Sequence, residues 1–101
     1  IVTSEYIIVE LGNFLSARPT RSLFASFLGV LDADPRLTVV PASSDLMRRG
    51  SDLYIARRDK SWSLTDCISF EIMRQHGITE ALTADRHFEQ AAFTVLLKPV
   101  P

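Results

Sequence analysis

The chain has 101 residues, 47% of them hydrophobic and 23% charged, with a formal net charge of −1. That balance argues against disorder and fits a single compact domain over residues 1–101. With no long apolar run, no signal-peptide pattern and Cys67 as its one cysteine, the sequence offers no membrane-spanning helix and no intrachain disulfide, and a cytoplasmic setting follows.

In chain order, IVTSEY opens the sequence without an initiator methionine, so the domain is expected to be N-terminally incomplete. Residues 4–17 read as a first helix. Thr3 or Ser4 can cap it, and Ile7, Ile8, Leu11, Phe14 and Leu15 share one broad apolar face, which should end near Ser16 to Pro19 because proline cannot continue a helix. Glu10 lies at the edge of that face, with Tyr6, Ile7 and Phe14 as its helical neighbours. A carboxylate so placed needs water, an arginine or a cation. Leu23, Phe24, Phe27, Leu28 and Leu31 predict a second, core-facing helix before Pro35, and LTVVPA, residues 37–42, a short strand. A third helix is expected over 43–58, capped by Ser43 or Ser44, with Gly50 as its weak point. Arg48, Arg49, Arg57, Arg58 and Lys60 cluster there, either as a solvated face or as a surface for phosphates. The clearest helix covers 63–77. Ser63 caps it, Ile68, Ile72 and Met73 face inward, and Gly77 occupies a C-terminal stop. A strand at 80–84, a short helix at 85–92 and a strand at 93–97 complete an α/β pattern with mostly parallel strands.

Two further carboxylates stand out. Asp66 is in the first turn of the 63–77 helix, and Asp85 follows the strand at 80–84. A tight connection at Gly77 to Thr79 makes that helix and strand antiparallel, so the start of one and the end of the other meet at one edge. From Asp66 to His76 the helix spans about 15 Å at about 1.5 Å per residue, and from Thr79 to Asp85 the strand spans about 20 Å at about 3.3 Å per residue. Each acid also has a purely structural explanation. Ser63 to Asp66 matches a capping box, and Asp85 can cap the helix after it. Carboxylates brought together repel unless a cation neutralises them, and oxygen ligands of this kind suit Mg²⁺ or Mn²⁺ with a phosphodiester substrate.

The stretch WSLTDCISFEIMRQHGITEALTADRHFEQAAFTVLL, residues 62–97, resembles the C-terminal half of a PIN domain, particularly that of VapC-type toxins from bacterial toxin–antitoxin pairs. The resemblance extends over essentially the whole chain, although residues 18–60 carry no sharp motif. It implies a three-layer α/β/α fold and a metal-dependent endoribonuclease. Glu10, Asp66 and Asp85 then match the family's ligands for Mg²⁺ or Mn²⁺, while Ser63 and Thr65 match hydroxyl positions near the metal. It also implies a homodimer, an RNA substrate and a cognate antitoxin whose tail fills the acidic cleft. A PIN domain begins with a strand bearing another metal-binding aspartate, and this sequence starts after that place. Ala92 stands where relatives often have glycine.

Two other readings compete. A receiver domain of a two-component system would use LLKP at 96–99, but the spacing of Glu10, Asp66 and Asp85 does not fit its acidic sites. A non-catalytic PIN-like module would bind RNA or a partner without cutting. Cys67, beside Ile68 on an apolar helix, reads as a small core residue rather than a nucleophile. His76 and His87 have no Cys or His ligands at metal spacing, and Trp62 reads as packing rather than base stacking.

Overall fold

The computed structural model of the chain describes residues 1–97. Its elements run β1 (Val2–Ser4), α1 (Glu5–Phe14), α2 (Arg18–Ala33), β2 (Thr38–Val40), α3 (Ser44–Ala56), α4 (Leu64–Gln75), β3 (Glu80–Ala81), α5 (Arg86–Gln90) and β4 (Thr94–Val95). The strands form two parallel pairs, β1 with β2 and β3 with β4. Backbone contacts group into two compact units, Ile1–Ala42 and the chain from Ser43 onward. Lys98 and Pro99, which the receiver-type reading would need, lie outside the described residues.

In the first unit, Val2, Thr3 and Ser4 pair with Thr38, Val39 and Val40. The sequence reading gave Thr3 and Ser4 only as helix caps. A strand of three residues is too short to show a period, and Ser4 serves both elements: it ends β1, is buried, and its Oγ accepts the Ile7 N–H at 3.4 Å. Glu5 at the start of α1 accepts the Ala42 N–H at 2.5 Å, tying the chain after β2 back to the helix. Helix α1 stops at Phe14, short of the expected proline stop, and Pro19 belongs to the next helix. It falls in the first turn of α2, where its missing N–H has no partner to lose and its fixed φ suits a helix.

The expectation that α1 and α2 face a core is met only in part. Ile8 and Leu11 of α1, Leu15 at its C-cap, and Phe24, Phe27 and Leu31 of α2 are half-buried, but neither helix has a fully buried residue, Ile7, Leu23 and Leu28 are exposed, and Phe14 is 83% exposed. Two helices and two three-residue strands give too little surface to enclose every residue of two apolar stripes.

The second unit holds the well-buried core. Helix α4 buries Cys67, Ile68, Ser69, Phe70, Ile72 and Met73. Gly50 of α3 lets that helix come close: a β-carbon there would stand 2.3 Å from Ile68 Cγ1 and 3.1 Å from its Cα. What the sequence marks as a weak point is a place where α3 comes close to α4. Helix α4 ends as its glycine foretells, with Gly77 at φ +65°, the Ile78 N–H on the Met73 carbonyl at 2.8 Å and the Gly77 N–H on that of Arg74 at 3.2 Å. Around Phe70, Trp62 and Phe88 pack edge-on at ring distances of 5.0 and 4.9 Å, with Phe93 at 5.6 Å. This cluster binds Trp62, just before the N-cap of α4, to the middle of α5, and so fixes both of the turns that carry the candidate site.

Candidate metal centre

Asp66 enters the site as the third residue of α4. Ser63 Oγ accepts the Asp66 N–H at 3.0 Å, and Asp66 Oδ2 accepts the Ser63 N–H at 3.1 Å, so the capping box is fully formed. Asp85 caps α5 in turn: its Oδ1 accepts the His87 N–H at 2.9 Å, while its own N–H donates to Thr83 Oγ1 at 3.1 Å. Both structural explanations of these acids therefore hold as hydrogen bonds.

The tertiary fold adds a third relation. Asp66, Asp85 and His87 each place one donor atom within 4.8 Å of the others, at the start of α4 and the start of α5. His87 Nδ1 lies 2.9 Å from Asp66 Oδ2 and 3.5 Å from Asp85 Oδ1, and its Nε2 lies 3.4 Å from Ser61 Oγ. Facing a carboxylate, Nδ1 is assigned as the donor from this hydrogen-bond pattern, with Nε2 beside the serine hydroxyl. His87 thus holds Asp66 in place, and among the described residues no hydrogen bond occupies Asp66 Oδ1. Sequence reasoning had set His87 aside for want of Cys or His partners. Its partners are carboxylates, and the signal was its position two residues after a capping aspartate.

Glu10 belongs to the first unit and is exposed on α1. Ser63 acts through its cap, and Thr65 is half-buried in the first turn of α4. Cys67 is fully buried, and burial, with the negative charges of Asp66 and Glu71 beside it, pushes its thiol up, away from the thiolate a nucleophile needs. Trp62 is buried, donates Nε1–H to Gln90 Oε1 at 3.0 Å and packs on Phe70, as a core residue does.

The donor set suits a divalent cation. Two carboxylates converge, one keeps an oxygen free of hydrogen bonds among the described residues, and the His87 imidazole holds that carboxylate by its other oxygen.

The family model for the PIN domain matches residues 1–94. The chain belongs to the PIN domain family. Among solved structures, this PIN domain is similar to VapC20 of Mycobacterium tuberculosis, a toxin that cleaves the sarcin–ricin loop. The TM-score is 0.82 at 23% identity, over 97% of this chain and 74% of that one. The likeness establishes a PIN-like fold of helices and parallel strands, the three-layer α/β/α class expected from the sequence. No curated protein sequence matches. Among the described residues of the PIN domain, no helix is long and apolar enough to cross a membrane.

Proposed function

We propose that this PIN domain is a metal-dependent endoribonuclease, the toxin of a type II toxin–antitoxin pair. One observation carries the reading: in a chain of this family, Asp66 and Asp85 converge with His87 within 4.8 Å. Asp66 and Asp85 would hold Mg²⁺ or Mn²⁺, with Glu10 included on the family resemblance and tested separately. Such an ion, when bound, activates water and offsets charge on the scissile phosphate. The chain's own residues prepare that site. Ser63 and His87 fix the Asp66 carboxylate through Oδ2, and the Asp85 cap holds the start of α5 against it. By the same family likeness the partners are an RNA substrate, a cognate antitoxin and a second copy of the chain, in a cytoplasmic setting.

The test is cleavage of a labelled single-stranded RNA with Mg²⁺ or Mn²⁺, with EDTA, and by Asp66→Asn, Asp85→Asn and Glu10→Gln. An asparagine at 66 still accepts the Ser63 N–H, so the fold is kept. Cleavage should vanish with EDTA and fall on the order of 100-fold or more in the aspartate variants. Equal cleavage by wild type and variants would identify a contaminating nuclease. No cleavage together with no metal binding would favour the non-catalytic module, with Asp66 and Asp85 serving only as caps.

A further inference from the structure

Beside the carboxylates lies a second feature that the proposed chemistry does not use. Tyr54, Arg57, Arg58, Lys60, Ser61 and Trp62 line a cleft of about 350 Å³ where α3 ends and the chain leads into α4. Its cations differ in their engagement. Arg57 is held by Asp59 through two hydrogen bonds of 3.0 Å and lies 5.0 Å over the Trp62 ring, and its guanidinium keeps the Asp59 carboxyl below the usual range. Arg58 and Lys60 form no ion pair among the described residues. Tyr54 is half exposed. Ser61, which lines the cleft, meets His87 Nε2, whose ring meets Asp66 on its other side. The cleft and the acidic cluster are one imidazole apart.

We infer that this cleft is a subsite for single-stranded RNA, in which Arg58 and Lys60 take the phosphate next to the scissile one and Tyr54 stacks on the base. The inference rests on the nuclease reading for the identity of the scissile site. A nucleic-acid strand supplies phosphates and flat base faces in alternation, and the pairing of uncommitted cations with an exposed ring answers both. An acidic peptide would satisfy the cations and leave the ring unused. Arg57 serves as the cleft's fixed wall, since Asp59 and Trp62 immobilise it.

The experiment reads binding without cleavage. A fluorescein-labelled single-stranded RNA of about ten nucleotides is titrated with the full chain in EDTA, and anisotropy is followed over a series of salt concentrations. Arg58→Ala with Lys60→Ala should weaken binding about tenfold or more and flatten the log–log salt dependence by about 0.7, for the one phosphate contact the pair makes. Tyr54→Ala should weaken it about fivefold or more with the salt dependence kept, and Tyr54→Phe should restore it. Arg74→Ala, at the far end of α4, should leave binding within about twofold. Melting curves confirm that each variant is folded. The inference is overturned if the wild type does not bind, if the cleft variants bind like wild type, or if Arg74→Ala loses as much as the double variant. Loss of binding to an oligoglutamate peptide with RNA binding intact would also overturn it, in favour of a peptide-docking site. Asp66→Asn should keep RNA binding. Failure of the nuclease reading therefore shows as absent cleavage with binding retained, and failure of the subsite as cleavage retained with indifferent cleft variants.

Discussion

Two glycines in helices carry opposite consequences for substitution. At Gly50, a methyl group meets Ile68 Cγ1 at 2.3 Å and the Ile68 backbone at 3.1 Å, so a rotamer change alone cannot relieve it. Gly50→Ala should destabilise the protein by about 2 kcal/mol, overpacking outweighing alanine's better helix propensity. At Gly29 nothing stands within 4 Å of the same methyl group. Gly29→Ala should stabilise by about 0.5–1 kcal/mol. Urea midpoints of the two variants test both signs. Sequence could flag Gly50 as a poor helix former, but only the neighbouring helix shows what the missing side chain permits. His87 carries the same lesson. Its role depends on Asp66, which is distant in sequence and 2.9 Å away in space.

Among the elements, α4 was the most legible and is the most buried, and its cap, its inner residues and its glycine stop all stand as expected. Its signals are strong because local chemistry and burial agree over several turns. The short helix α5 closes the other side of the site under strain. Phe93 N–H bonds the Phe88 carbonyl at 3.0 Å and Ala92 N–H that of Glu89 at 3.0 Å, which puts Ala92 in the left-handed region at φ 71°. The sequence had marked this alanine as standing where relatives often have glycine, and the structure gives the reason. Ala92→Gly should stabilise by about 1 kcal/mol, because only the β-carbon makes this φ costly. Thermal melts check it. Strands β2, β3 and β4 were placed in order but overestimated in length, and β1 was missed, since β-branched runs show where a strand can form and pairing decides how far it extends.

For the molecule as a whole, an ion held by the acidic cluster must stabilise the folded state that presents it. At a hundredfold excess over its dissociation constant, Mn²⁺ should add about 2.7 kcal/mol, which raises Tm by roughly 10 °C or more in a chain of this size. Asp66→Asn and Asp85→Asn should lose that rise, and a thermal-shift titration reads it without any RNA. The sequence by itself determined the α/β order, the helix caps and stops, and the family, because these reside in contiguous residues with local hydrogen-bonding and burial preferences. Tertiary structure alone decided that β1 exists, that the apolar faces of α1 and α2 are no more than half-buried, that Gly50 admits α4, and that His87 joins Asp66 and Asp85 beside a basic cleft. Those outcomes depend on which distant backbones approach one another, and no local pattern of residues encodes that distance.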